Sequence, residues 1–340
     1  MKVMIGIGII GCGYWGPNLV RNFSSVSGAK VIMISDLKFE RLSALASLYP
    51  SVKTTTNYYE MLKDPSINAV AIATPVSTHF EIAMESIKAG KHVFIEKPMT
   101  LNSEQGERLI EAANKANLVL LVDHTFIYTG AVRKIKELVD NKELGKIYYY
   151  DSMRVNLGLF QHDVNVVWDL AVHDISIMDY VLGYRPVAVS ATGMSHVHGS
   201  PENVAYMTLF FDSALIAHIN VSWLSPVKLR QTLIAGSKKM VVYDDLEPSE
   251  KIKVYDAGIT LNNNPDSVHQ MLIGYRSGDM WAPQYSRTEA LRTEAVHFIN
   301  CIEGKESPLT DGAMGLRMVK VLEGTIASMR EKGHLVPLNL

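Results

Sequence analysis

The tightest constraint on this 340-residue chain is a glycine pattern set between two opposite periodicities. Val3–Ile10 is a short apolar run rich in β-branched residues; Gly11-Cys12-Gly13-Tyr14-Trp15-Gly16 follows directly, and Pro17–Ser25 then has helical character. G-x-G-x-x-G alone is a weak signal in a chain with 23 glycines. A strand before it and a helix after it make it a dinucleotide fingerprint. Gly11 permits the tight turn, Gly13 lets the backbone approach a pyrophosphate, and Gly16 lets helix and strand pack closely. The helix start adds unpaired N–H groups and the positive end of a dipole. Asp36 closes the next predicted strand, twenty residues beyond Gly16. A carboxylate there accepts from the adenosine ribose hydroxyls and repels a 2′-phosphate, so the pattern predicts NAD rather than NADP, with Lys38 the nearest cation. Tyr14 and Trp15 fit either a plug under the loop or a contact with cofactor or substrate.

The alternation continues. Lys30–Ser35, Ala69–Ala73, His92–Ile95 and Leu118–Val122 are predicted strands; Phe39–Leu48, His79–Ala89 and Ser103–Asn117 are predicted helices. Strands alternating with helical crossovers imply a parallel sheet buried on both faces. Residues 1–125 therefore read as an α/β Rossmann domain. Beyond Phe126 the texture changes. Ala131–Asn141 reads as a helix, and a run of strands follows: Lys146–Asn156, Val187–His196, Ala205–Phe211, Leu215–Trp223, Leu229–Ala235, Met240–Tyr243 and Lys251–Tyr255. One helix near Val167–Leu182 interrupts them. Asp256–Arg287 reads as irregular, and Thr288–Ile302 and Asp311–Arg330 close the chain as helices. Residues 126–340 thus read as an α+β domain with a large, mostly antiparallel open sheet, whose last helices pack back on the first domain.

Composition excludes several function classes. There are 33 basic and 35 acidic residues, a net charge of −2, so nothing draws the chain to nucleic acid or an anionic membrane. Two cysteines, Cys12 and Cys301, build no disulfide framework and fit a reducing, cytoplasmic setting. No uninterrupted apolar stretch is long enough to span a membrane, and the N-terminus lacks a cleavage signal.

Two further motifs carry chemistry. The fourth predicted strand ends in Glu96-Lys97-Pro98, where open α/β sheets place their ligands. Lys97 there fits a group aimed at the nicotinamide; taken alone, it fits a surface lysine equally well. Thr74-Pro75 closes another strand, with His79 shortly after, and is expected beside the cofactor. In the second half, Asp169 and His173 stand four apart in Trp168-Asp169-Leu170-Ala171-Val172-His173, so they share a helix face. A carboxylate one turn from a histidine orients it as a general base. A surface pair or a helix cap also fits, and so, less well, does a metal site: His196 and His198 offer a second pair, but no third ligand spacing supports zinc.

These features in this order resemble the glucose–fructose oxidoreductase/inositol dehydrogenase (Gfo/Idh/MocA) family. Its marks here are Gly11–Gly16, Thr74-Pro75 with His79, Glu96-Lys97-Pro98, Asp169-x-x-x-His173 and Pro308-Leu309-Thr310-Asp311-Gly312. The resemblance implies catalytic roles for Lys97, Asp169 and His173. Within the family, Gly13–Asn18, Arg154–Gly158, Val166–Leu170 and Gly278–Pro283 look most like bacterial sugar-nucleotide 3-dehydrogenases. Such enzymes oxidise the C3 hydroxyl of a UDP-N-acetylhexosamine or its uronic acid to a keto sugar. Where many members carry Asn or Arg after the sixth strand, this chain has Asp123-His124-Thr125-Phe126, and His124 is expected at the cofactor.

On the substrate side, Tyr148, Tyr150, Ser152, Arg154 and Asn156 share one strand face by period two. Arg154 and Asn156 are the candidate ligands for a sugar, carboxylate or phosphate. Trp168, Trp281 and Tyr285 complete the expected substrate set, the last two from a loop fitted to closing over it. Exposed sheet tyrosines and Phe210-Phe211 invite a homodimer or homotetramer through the C-terminal sheet. The residues leave open a free sugar, inositol or other polyol as substrate, a non-catalytic NAD-binding regulator, and whether Lys97 or His173 is the base.

Overall fold

The computed structural model describes residues 4–158, 164–261 and 273–340. The chain divides into two compact units, Met1–Tyr128 with Thr288–Glu323, and Thr129–Arg287 with Gly324–Leu340.

The first unit is built on six parallel strands: β1 (Ile5–Ile10), β2 (Ala29–Ser35), β3 (Lys53–Thr55), β4 (Ala69–Ile72), β5 (His92–Glu96) and β6 (Leu120–Asp123). Their spatial order is β3-β2-β1-β4-β5-β6, reversing between β1 and β4 as in a doubly wound nucleotide-binding sheet. Helices α1 (Gly16–Ser25), α2 (Phe39–Leu48), α3 (Tyr58–Lys63), α4 (Val76–Lys88) and α5 (Ser103–Lys115) make the crossovers. β1 and β4 are buried along their whole length, which is why they read as unbroken apolar runs. One face packs on Phe23, Phe94 and Phe298, whose rings meet edge to face with centroids 5.5–6.2 Å apart. Phe298 comes from the helix Ala290–Ile302. The other face packs around Met61, Ile82, Ala83 and Leu109. β3 and α3 lie outside the elements expected from the sequence. β3 has only three residues, none buried, so it carries no apolar period. α3 starts from an Asn57 cap whose side chain accepts from the Tyr59 amide at 3.1 Å.

The second unit begins with α6 (Gly130–Asp140), capped by Thr129, and β7 (Ile147–Leu157). A π-helical turn, Val167–Ala171, runs into α7 (Val172–Leu182). Strands β8 (Ala188–Met194), β9 (Val204–Phe210), β10 (Ile216–Ser222), β11 (Leu224–Gly236), β12 (Met240–Asp244) and β13 (Ile252–Tyr255) follow. The stretch expected to be irregular holds three more strands, β14 (Gly258–Leu261), β15 (Ile273–Arg276) and β16 (Met280–Trp281). β14 and β15 pair as a small hairpin-like sheet, while β16 joins β13. β17 (Val336–Pro337) pairs with β8. The large sheet runs β16-β13-β12-β11-β7-β10-β9-β8-β17 and is antiparallel except where β7 meets β10. The helix Gly312–Arg330 contributes to both units, its last turns from Gly324 onward belonging to the second. Among the described residues no helix is long and apolar enough to cross a membrane.

The shared face of β7 needs correction. Tyr150, Ser152 and Arg154 are buried against α7, so this is mainly a core face rather than a ligand face. The Tyr150 hydroxyl donates to the Asp174 carbonyl at 3.1 Å. The opposite face, through Tyr149, Met153, Tyr206 and Ile216, is the exposed one.

Candidate functional site

In the first unit the glycine loop is shaped as its sequence requires. Gly11 has φ +95°, and a Cβ there would stand 2.5 Å from the Ala73 carbonyl. A Cβ on Gly16 would lie 2.3 Å from the Gly11 carbonyl, so the loop closes onto the start of α1 without room for a side chain. Gly13 differs. Its Cβ position meets only the Arg41 guanidinium, at 3.6 Å, leaving its backbone approachable. α1 opens with no side-chain cap, a proline in its first turn and no acidic residue there. Its first amides are therefore available to an anion. Tyr14 and Trp15 are exposed, with their rings packed edge to face, so neither is a plug beneath the loop.

Asp36 sits at the end of β2 with its carboxylate largely enclosed. One oxygen accepts the Cys12 amide at 2.7 Å and the other the Lys38 amide at 2.8 Å. Arg41 approaches at 3.3 Å from the first turn of α2. Burial alone would raise the Asp36 pKa, but the Lys38 and Cys12 amides and the Arg41 guanidinium hold it below the ordinary carboxylate range. An ionised acceptor beside an approachable glycine backbone and an uncapped helix start fits a dinucleotide carrying an unmodified ribose. Arg41 is not among the residues expected here, although its place five residues after Asp36 puts it in reach.

At the end of β5, Lys97 is the only residue of Val93–Thr100 that is not buried. Pro75 is exposed and Thr74 half-buried, with the Thr78 hydroxyl 2.7 Å from that of Thr74. Three side chains expected at the cofactor are buried. His79 is 1% exposed, with Nδ1 2.9 Å from the Pro98 carbonyl and Nε2 2.9 Å from the Thr74 carbonyl. Glu96 and His124 are also buried. Glu96 is packed with Asp123 and Glu294, and burial with the Asp123 carboxylate nearby pushes both glutamates well above the usual carboxylate range. Burial, helped by Lys97 and Arg317, pushes His124 down to about 3, leaving it neutral.

In the second unit Asp169 lies in the π-helical turn, a departure from α-geometry often found at functional positions. Asn165 starts this segment: its side-chain oxygen accepts the Val167 and Trp168 amides at 3.2 and 3.3 Å. The indole N–H of buried Trp223 donates to the Asp169 carboxylate at 3.0 Å. Space for that indole depends on Gly158, where a Cβ would stand 2.5 Å from the ring. His173 follows in the first turn of α7, half-buried, like Asp169 and Trp168. Trp223 was not singled out in the sequence. It lies 54 residues from Asp169, and only the pairing of β10 into the sheet brings it there.

Arg154, expected on the substrate side, is buried too. It is 3% exposed and forms two bonds with Asp174, at 2.7 and 3.2 Å. The guanidinium is committed to a buried carboxylate. Asn156 is half-buried near the end of β7, and Tyr285 is half-buried as well. Trp281, on edge strand β16, has the Lys239 ammonium 4.5 Å from its ring centre. Among the described residues no group of three metal-ligating side chains comes together.

The first unit thus has the fold and loop of an NAD-binding oxidoreductase domain. Residues 5–124 match the family described as "Oxidoreductase family, NAD-binding Rossmann fold", and residues 132–242 match the "GFO/IDH/MocA C-terminal domain". The chain belongs to the Gfo/Idh/MocA oxidoreductase family. It is 29% identical over 320 residues to scyllo-inositol 2-dehydrogenase (NAD(+)) of Bacillus subtilis, covering 90% of this chain and 87% of that one. It is 27% identical over 321 residues to UDP-N-acetylglucosamine 3-dehydrogenase of Acidithiobacillus ferrooxidans, covering 92% and 93%. Its fold matches the WlbA dehydrogenase from Bordetella pertussis, solved in complex with NADH and UDP-GlcNAcA. The TM-score is 0.82 at 21% identity, over 99% of both chains. The protein is therefore an NAD-dependent oxidoreductase of the sugar-dehydrogenase type.

Proposed function

We propose that the protein oxidises a secondary hydroxyl, that at C3, of a UDP-N-acetylhexosamine or its uronic acid to the keto sugar. The observation that carries this reading is the Asp169–His173 pair, with Asp169 on the π-helical turn and anchored by Trp223, and His173 four residues on in the first turn of α7. A fixed carboxylate one turn from a histidine favours the charged imidazolium that forms when a hydroxyl proton is removed. In this reading His173 receives that proton and Asp169 orients it. Lys97 hydrogen-bonds the substrate oxygen as it becomes a carbonyl. NAD⁺, held by the glycine loop and Asp36, supplies the hydride acceptor. Thr74 and Pro75 border the cofactor. Asn156, Trp168, Trp281 and Tyr285 are the substrate-side residues. The sugar-nucleotide preference is supported by the relative that acts on UDP-N-acetylglucosamine and by the local motifs shared with such enzymes.

A second reading, oxidation of a cyclic polyol, is favoured by the inositol dehydrogenase relative of equal similarity and by the loss of Arg154 as an anion ligand. Steady-state kinetics with NAD⁺ decide between them, with UDP-N-acetylglucosamine, its uronic acid, myo-inositol and scyllo-inositol compared by NADH absorbance. Higher kcat/KM for the inositols overturns the first reading. We also propose a homodimer or homotetramer through the exposed face of the large sheet. There Tyr149 pairs with Ile216 in register, and Met153 and Tyr206 both flank Asn220. Sedimentation equilibrium of the wild type and of Tyr206→Glu tests it.

A further inference from the structure

We infer that His79 is the positioning residue for Lys97, cross-linking the ends of β4 and β5 where their hydrogen-bond ladder gives out. The inference rests on Lys97 being the residue that meets substrate. The last register pair between the two strands is Ile72 with Ile95. Beyond it the two chains run on as Ala73-Thr74-Pro75 and Glu96-Lys97-Pro98, with no further strand pairing between them. The His79 ring spans this gap. It reaches the Thr74 carbonyl through Nε2 and the Pro98 carbonyl through Nδ1, both at 2.9 Å. It is 1% exposed, so water does not compete for either contact.

Both neighbours are carbonyls, which only accept. A neutral ring carries one N–H, so it donates to one of the two turns and packs its other nitrogen against the second, filling the space between them. Pro98 directly follows Lys97, the one half-exposed residue in a buried stretch. A lysine places its charge at the end of a long flexible stem, so its aim depends on how firmly the backbone at its root is held. Burial, with the nearby Lys97 charge adding to it, lowers the His79 pKa against the pull of its carbonyl partners. The cross-link therefore adds no full charge beside Lys97 at neutral pH and acts through geometry.

Three variants test this: His79→Ala, His79→Gln, whose amide still offers N–H groups to a carbonyl, and Lys97→Ala. The first readout needs no substrate. Trace acetylation with acetic anhydride, followed by mass spectrometry, measures the reactivity of Lys97 against exposed Lys30 in each folded variant. His79→Ala should change the Lys97 rate by about threefold or more and leave Lys30 unchanged, since misplacement is local, and His79→Gln should lie between it and wild type. The second readout is turnover with NAD⁺ and UDP-N-acetylglucosamine or scyllo-inositol. His79→Ala should lower kcat by roughly 10- to 100-fold, with NADH affinity within about threefold, because a misplacement near 1 Å costs that much. Wild-type Lys97 labelling in folded His79→Ala, or in His79→Gln should the alanine variant not fold, overturns the inference. So does NADH affinity falling in step with kcat. Wild-type turnover in Lys97→Ala overturns the catalytic reading of Lys97 instead, and the labelling result still judges the cross-link.

Discussion

Trp223, the last residue before β11, donates its indole N–H to the carboxylate of Asp169 on the π-helical turn, at 3.0 Å. The donor lies on the sheet and the acceptor on the helical segment packed against it, so the bond fixes where the segment carrying His173 begins. Trp223→Phe keeps most of the ring and removes the donor. A hydrogen bond to a charged group contributes about 1.5–3 kcal/mol. We expect a loss of stability of that order in urea titrations, and a kcat lowered by about tenfold or more with KM little changed. Unchanged kcat in a folded variant would separate Trp223 from the chemistry.

The Arg154–Asp174 pair predicts stability effects rather than binding effects. Each side chain is 3% exposed. Removing one partner leaves a buried charge uncompensated and should cost about 3–5 kcal/mol. Arg154→Ala is therefore expected to unfold at much lower urea. The double variant Arg154→Met with Asp174→Leu should be more stable than Arg154→Ala. A folded Arg154→Ala of normal stability but raised substrate KM would return Arg154 to the substrate side.

Glu96 and Glu294 predict a particular pH response. Burial, with the Asp123 charge nearby, raises both above the ordinary glutamate value of 4.5. In the native state they keep their protons to higher pH than in the unfolded chain. The native state then binds more protons, so stability falls as pH rises above about 4.5, until their native pKa values are passed. Glu294→Gln removes that loss. Its melting temperature relative to wild type should rise between mildly acidic and mildly alkaline pH. A constant difference would mean that Glu294 is ionised in the native state.

Asp36 predicts cofactor choice. Asp36→Ala should weaken NADH by about 10- to 100-fold, the value of losing charge-assisted bonds to ribose hydroxyls. NADPH should be weakened less or strengthened, because the repelling carboxylate is gone while Arg41 remains. Fluorescence titration with both nucleotides reads the ratio. Equal loss of both would show that Asp36 serves the loop, through the Cys12 amide, rather than the ribose.

The sequence made the first unit legible because each of its features is local. The glycine loop, Asp36 and the buried runs of β1 and β4 are patterns of neighbouring residues. What stayed hidden depends on contacts between distant residues. Period two placed Tyr150, Ser152 and Arg154 on one face of β7, yet it does not say which face is covered; α7 decides that through Asp174. His79 and His124 have residue types that suit a ligand site, but their burial is set by the packing of the whole unit. Trp223 found its role only through the strand order of the large sheet. The β14 and β15 strands escaped because four-residue runs in a polar stretch carry too little period to register.

The two rims of the large sheet have a consequence for handling the protein. Each ends in a strand of only two residues, Met280–Trp281 on one side and Val336–Pro337 on the other, and Pro337 has no N–H to offer. Neither rim presents a long row of open backbone groups to a neighbouring chain, so ribbon-like growth from strand to strand is blunted at both sides. The β17 rim is fastened by the Leu338 amide on the Val187 carbonyl at 2.8 Å. Losing Val336 and Pro337 would uncover β8 at Ala188 and Val189 and turn a blunt margin into a more adhesive one.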